Sequence, residues 1–355
     1  MALTPAELLL LQAALFPGPT TDAWLKQTVL EDIAPAEHAV LALLAHNSQT
    51  MGIPIPVKLV GLRRRTWYAN QFQFDALAII LRALSQANID VLVLGDAALS
   101  LWIYPEPSTR PVATLEILIR PEQLDTVRDV LRNCGWVLSP SDARFGMIIP
   151  PAEISFIRWH NNKKQLLTLH WRAFPQFPSA AIDAELWARA RMSTFGELTM
   201  RTLAPTDQFV LTIQLHSLRY LLDAAVIAKT QSLHWEQILR LTIQTATPAL
   251  AETFNDLHAI AESLVPAEIQ RYAWTLPISK LEHWAYSAQS RSSLSATLRQ
   301  LGVRHWIKYS RLCTALGRHP SITSFLDFLQ YTWGKHNRYQ ILRYVLTYWR
   351  NKHHE

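Results

Sequence analysis

The chain has 355 residues, of which 49% are hydrophobic, and it holds 13 Trp, so wholesale disorder is excluded and a sizeable core is affordable. With only 10 Gly against 20 Pro, helices joined by proline-marked turns are favoured. The net charge is +6, and from Leu301 onward 9 basic residues face 2 acidic ones, so the basic character belongs to the tail and not to the body.

Two cysteines, Cys134 and Cys313, exclude a disulfide framework and lack metal-ligand spacing, which fits two thiols in a reducing cytoplasm. The first residues, MALTPAELLLLQAALFPGP, have no basic flank and carry Glu7 ahead of the apolar run, unlike a signal peptide. They read instead as a helix start. Thr4 caps, Pro5 suits the first turn, and Glu7 closes a capping box. No run of about 18 apolar residues calls for a membrane span.

Helices are predicted over Pro5–Leu15, Asp22–Glu31 and Pro35–His46, followed by GIPIPVK (52–58) as a connector. Phe74, Leu77, Leu81 and Leu84 then share one helical face, and Asn88 ends that helix. IDVLVLG (89–95) is a buried strand that runs into a glycine turn. A helix over Ala97–Tyr104 is closed by Pro105 and Pro107, and Ala113–Ile119 is a second strand. Pro121 to Cys134 is amphipathic, with Gly135 just past its end. Ile154–Trp159 and Gln165–Trp171 form a hairpin around Asn161-Asn162-Lys163-Lys164. After Ala204 the pattern is helical again. Thr206 is the expected cap of a helix with the stripe Phe209, Ile213, His216, Tyr220 and Ile227, and further helices are expected near 234–243, 248–264, 266–273, 278–288, 294–316, 321–332 and 338–352. The predicted fold is α+β: a helical segment over residues 1–65, a small mixed sheet with helices over 66–175, and a helical domain with a basic tail over 176–355.

The run IDVLVLGDAALSLWIYPEPSTRPVATLEILIRPEQL resembles the nucleotidyltransferase-like family of bacterial proteins in the DNA polymerase β superfamily. LLTLHWRAF (166–174) is similar to that family's histidine-tryptophan strand. LAPTDQFVLTIQLHSLRYLLDAAVIAKTQSLHWEQIL (203–239) is similar to its helical continuation, with His216, Asp223 and Trp235 in matching places. The resemblance implies a polymerase β-like core and transfer of a nucleotide from an NTP, with two Mg²⁺ ions held by carboxylates. Two acids at i and i+2 on a strand point to one face, a third comes from the neighbouring strand, and a glycine turn lets the triphosphate approach backbone N–H groups.

On these positions the chain keeps the frame and loses much of the chemistry. Gly95 holds the turn, Leu94 stands where the family has lysine, and Arg110-Pro111 matches. The three acids become Thr114, Glu116 and Thr168, so one carboxylate of three remains. Magnesium prefers anionic oxygens, and neutral hydroxyls do not offset two dications. Asp96 offers a relocated ligand that would hold a single metal with Glu116, or else it caps the following helix. Arg110 either reaches a bound triphosphate or pairs with Glu116 or Asp96. His170 shares a face with Thr168 and either moves protons at the pocket floor or is a satisfied core residue. His216 and Asp223, seven residues apart, suggest a buried hydrogen bond joining the helical part to the sheet.

The terminal NRYQILRYVLTYWRNKHHE has Leu342, Val345, Leu346 and Trp349 on one face, with His336, Arg343 and Arg350 along an edge. Such a helix lies on an anionic membrane, grips nucleic acid, or packs on the body with a solvated basic edge. The expected functions are therefore three: a degenerate nucleotidyltransferase-fold protein that binds a nucleotide or a partner protein; an active enzyme with a remodelled site using Glu116 and Asp96, with Mg²⁺ and an NTP; and an adaptor docked by its basic tail.

Overall fold

The computed structural model describes residues 3–30, 33, 37–139, 153–174, 179–215, 217–244, 248–273, 280–281, 284, 294–315, 317–332, 337, 339–341 and 343. Helix α1 (Pro5–Leu15) begins as the sequence predicts: the Glu7 amide donates to Thr4 Oγ1 at 3.2 Å, and the Glu7 carboxylate accepts from the Thr4 amide at 2.8 Å. Helices α2 (Pro19–Gln27), α3 (His38–Thr50) and α4 (Val57–Gln86) follow. The first two are offset by a few residues from the predicted spans. The prolines near 54–56 leave only a short connector before α4, whose thirty residues run without a break across position 65.

The α4 stripe is as read: Phe74, Leu77, Leu81 and Leu84 are all buried. Asn88, at φ +55, ends the segment in the left-handed region that Asn tolerates. Strand β1 (Leu92–Leu94), helix α5 (Gly95–Trp102), strand β2 (Leu115–Leu118) and, after a short 3₁₀ turn, helix α6 (Leu124–Asn133) come next. Val127 and Leu131 of α6 are fully buried, and Gly135 at φ +83 closes the helix.

Strands β4 (Glu153–His160) and β5 (Lys163–His170) are longer than predicted. The loop shrinks to Asn161-Asn162, with φ +49 and +58, so both residues sit in the conformation of a tight two-residue hairpin turn. Before them lies the short β3 (Val137–Leu138). After helix α7 (Ala180–Arg189) comes a second hairpin, β6 (Arg191–Phe195) and β7 (Leu198–Thr202), turned at Gly196 with φ +59. These three strands were not anticipated, and they complete a seven-stranded mixed sheet in the order β3-β4-β5-β2-β1-β7-β6.

The remaining described helices are α8 (Pro205–Ile213), α9 (Leu218–Thr230), α10 (Trp235–Gln244), α11 (Pro248–Ile260), α12 (Ala267–Ala273), α13 (Leu294–Ala315) and α14 (Ile322–Thr332). The expected single stripe from Phe209 to Ile227 is thus two helices, broken between Gln214 and Ser217. Thr206 does not cap. It lies in the first turn of α8, after Ala204, and its hydroxyl accepts from the His234 amide at 3.1 Å, tying α8 to the start of α10. Predicted helices at 278–288 and 338–352 lie largely outside the described residues, as does His216.

The sheet separates two cores. On one face Val93, Leu115, Ile117, Leu167 and Leu169 pack against Phe74, Leu77, Ile80 and Leu84 of α4 and against Val127 and Leu131 of α6. On the other face Leu92, Leu94 and Leu118 meet a helical layer in which α1 and α3 share one core with α8, α9 and α11. The N-terminal helices are therefore cemented to the helices that follow the sheet. Truncating a fully buried leucine such as Leu77 or Leu222 is expected to cost ~2–5 kcal/mol. A third cluster, Tyr309, Cys313, Phe328 and Leu329, joins α13 to α14. Among the described residues no helix is long and apolar enough to cross a membrane.

Candidate functional site

Side chains alternate along β2, so Thr114, just before the strand, Glu116 and Leu118 face the helical layer. The strand register then selects their neighbours. Glu116 lies beside Leu94 of β1 and Thr168 of β5, and Leu118 lies beside His170. Across the β4–β5 hairpin, Ser155 pairs with Thr168, and Glu153 pairs with His170. The structure thus brings together Gly95, Thr114, Glu116, Thr168 and His170, as the sequence predicts. It adds Glu153, which sequence reasoning missed because the strand was expected to begin at Ile154.

Gly95 ends β1 and opens α5 at φ +56, a conformation that suits glycine. A Cβ at this position would collide with the Glu116 carboxylate, so that carboxylate lies directly against the turn.

His170 is 7% exposed and lies between two carboxylates: Nε2 is 3.3 Å from Glu116 Oε2, and Nδ1 is 3.1 Å from Glu153 Oε2. Burial alone would lower the imidazole pKa. The Glu116 and Glu153 carboxylates outweigh burial and raise it to about 9, so the ring is a cation at neutral pH. Burial likewise pushes Glu153 up, but His170 and then Lys308 of α13 bring it below its ordinary value. Burial lowers Lys308, and Glu153 opposes that shift. The His170 ring is thus flanked by Glu116 and Glu153, and Lys308 acts on Glu153 as well. Next to Lys308 on the same helix, burial, then Lys308 and Arg304, hold His305 down at about 4.

Asp96 departs from one expectation, since it does not cap a helix, and Arg110 takes one of its expected partners, Asp96. Asp96 sits in the first turn of α5, after Leu94, and is 3% exposed. Its Oδ1 faces Arg110 Nη2 at 3.0 Å and also Arg219, while Oδ2 accepts from the Ala113 amide at 2.9 Å. Both oxygens are committed. Arg110 is 1% exposed and grips Asp223 with a two-pronged fork, Nε to Oδ1 and Nη2 to Oδ2, each 2.7 Å. It has no free edge for a phosphate, and its partners are Asp96 and Asp223, not Glu116. Tyr104 Oη donates to the same Asp223 at 2.7 Å, and burial followed by Asp223 raises the phenol well above its ordinary pKa.

The expected tie between helix and sheet therefore exists, but Asp223 makes it with Arg110 and Tyr104, while His216 lies outside the described residues. Asn70 of α4 fixes the same loop by donating to the Arg110 carbonyl at 2.8 Å and accepting from the Val112 amide at 2.9 Å. Arg120, at the end of β2, stacks over Trp187 with 4.6 Å between its guanidinium carbon and the ring centroid.

A fit for two divalent ions fails on this donor set. The side chains around Glu116 are two neutral hydroxyls and a protonated imidazole, that imidazole also holds Glu153, and Asp96 is held by two guanidinium groups. Among the described residues no group of three or more His, Cys, Asp or Glu is arranged to hold a metal ion.

Residues 34–252, more than half of the chain, match the model of a family described as uncharacterised nucleotidyltransferase. The chain belongs to that family. The matched span holds every residue of the sheet as well as Arg110, Asp223, Glu116, Glu153 and His170, while Lys308 lies beyond it. No curated protein matches. Among solved structures, an antigenic nucleotidyltransferase-like protein from Paracoccidioides brasiliensis is similar, at 16% identity and a TM-score of 0.32, covering 52% of this chain and 92% of that one.

Proposed function

We propose that this member of the family no longer transfers nucleotides, and that it acts by binding a nucleotide or a partner protein through a polymerase β-type frame, in the cytoplasm. One observation carries the reading: the single acid left at the three metal-ligand positions, Glu116, is already neutralised from within by His170. A divalent ion would have to displace a buried imidazolium that Glu153 also holds. It would find only hydroxyls at Thr114 and Thr168 in return. The Arg110–Asp223–Asp96 network supports the same reading, because it keeps the frame rigid while withdrawing a second acid and an arginine from the cleft. Where the frame persists and its charge is cancelled, recognition without bond formation is the chemistry left.

The test is a transfer screen. The purified chain is incubated with α-labelled ATP, GTP, CTP and UTP with Mg²⁺ or Mn²⁺, alone and with protein and RNA acceptors, while thermal melts are recorded with each NTP in EDTA and in Mg²⁺. Absence of label transfer, together with any NTP-induced melting shift being the same in EDTA as in Mg²⁺, is the expected result. Metal-dependent label incorporation that disappears in Glu116→Gln would restore the enzyme reading.

A further inference from the structure

At the far end of β4 and β5, seven residues along the strand from Glu153 and so ~23 Å away, the surface changes character. Tyr68 is 70% exposed, Trp159 67% and Trp67 43%. Exposed aromatic side chains of this size are costly to leave in water and mark contact surfaces when they gather. Trp67 and Tyr68 gather on α4, whereas Trp159 faces the opposite side of the sheet, because its neighbour His160 is the one that meets Phe72. Trp67 and Tyr68 meet edge-to-face at 4.9 Å, and Phe72, one turn further along α4, stacks on His160 of the hairpin at 5.8 Å. The hairpin is pinned to α4 at this point by Gln165, whose amide donates to the Phe72 carbonyl at 2.8 Å.

The charges around these rings have one sign. From Val57 to Phe74, α4 carries no acidic residue, and neither does the hairpin from Ile154 to His170. Arg64 and Arg65 are exposed and make no ion pair among the described residues. Lys163 Nζ lies 5.5 Å from the Phe72 ring centroid, on the α4 side of the hairpin. Three cations, Arg64, Arg65 and Lys163, flank the exposed rings, and Gln71, Asn161 and Asn162 supply amide edges. Between residues 64 and 72, and again between 159 and 164, no aliphatic side chain larger than alanine is present. A membrane surface would need such an apolar face.

We propose that this patch, formed by the middle of α4 and the tip of the β4–β5 hairpin, binds single-stranded nucleic acid. Bases would stack on Trp67 and Tyr68, and phosphates would pair with Arg64, Arg65 and Lys163. Every base has a π-face and every linkage a phosphate, so recognition of this kind is strong in salt dependence and weak in sequence preference. It is independent of the ion-paired cleft.

The experiment is fluorescence anisotropy of the full chain with labelled 20-mers, oligo(U) and oligo(dT), beside a 20-base-pair duplex, and co-sedimentation with phosphatidylcholine–phosphatidylserine vesicles at 7:3. Binding of a single strand is expected, with log K falling against log salt at a slope of about −2, as three neutralised phosphates give. The variant R64E/R65E/K163E is expected to weaken binding about 100-fold or more. W67A/Y68A is expected to weaken it about tenfold or more. Near-ultraviolet circular dichroism and melting confirm that both variants are folded. No single-strand binding below 100 µM protein (roughly the non-specific range), tighter binding to the duplex, binding that both variants keep, or binding to vesicles alone would each overturn the proposal.

Discussion

Raising the pH through the His170 transition should destabilise the protein in a way that a neutral residue at this position removes. The folded pKa is about 9, above the ordinary 6.5 of an unfolded imidazole, because Glu116 and Glu153 outweigh the cost of burial. For a pKa raised on folding, the contribution to stability is complete below about pH 6.5 and is lost as the pH climbs through about 9. At about 1.36 kcal/mol per pH unit, the difference between 6.5 and about 9 sets a ceiling of ~3 kcal/mol. Glu153 is 42% exposed and Glu116 28%, so solvent screens both partners, and ~2 kcal/mol is the figure to expect. The perturbation is His170→Gln, which keeps a polar side chain and removes the charge. Urea unfolding of both proteins at pH 6, 8 and 10 gives the stability difference at each pH. That difference should be largest at pH 6, lose more than half of the ~2 kcal/mol by pH 8, and lose the rest by pH 10. Taking a difference between variants cancels the lysines and tyrosines that titrate in the same range. A difference that stays constant from pH 6 to 10, or an imidazole NMR titration of His170 centred near 6.5, would refute the ion-paired floor.

Other perturbations test the surrounding frame. Asp223→Ala leaves the Arg110 guanidinium buried without its forked partner, and a loss of ~3–5 kcal/mol in chemical unfolding is expected. A loss under 1 kcal/mol (roughly the scale of a surface pair) would mean the pair is solvated. Gly95→Ala should cost ~1–2 kcal/mol from its left-handed φ alone, and more while Glu116 occupies the space where the new methyl must go. In a Glu116→Ala background the excess should vanish and the backbone part remain. Equal costs in both backgrounds would show that the Glu116 carboxylate does not rest on the turn.

Sequence periodicity sufficed for α4 and α6, because each buries one stripe, and the capping box at Thr4 and Glu7 that starts α1 needs no tertiary partner. It also put Gly95, Glu116, Thr168 and His170 in one place, since alternation fixes which residues of a strand share a face. What stayed hidden depends on register. Glu153 meets His170 only because the hairpin turns on two residues, Asn161 and Asn162, and not on four. The adjacent asparagines were the available signal, as residues that tolerate positive φ. The β6–β7 hairpin was missed although RMSTFGELTMRT alternates around Gly196, the residue its turn requires. The Arg110–Asp96 pair was among the expected contacts, but local sequence cannot reveal that Arg219 and Asp223 join it from elsewhere in the chain. Lys308 belongs to a helix more than 150 residues beyond Glu153, and no spacing rule connects them.

The claim that the cleft has traded its divalent ions for an internal cation is tested most directly by Mn²⁺ titration followed by electron paramagnetic resonance, with and without a non-hydrolysable NTP analogue. The free Mn²⁺ signal of the wild-type protein should match that of a buffer blank and of Glu116→Gln. Loss of signal equivalent to one or two Mn²⁺ per chain, abolished by Glu116→Gln, would contradict the claim.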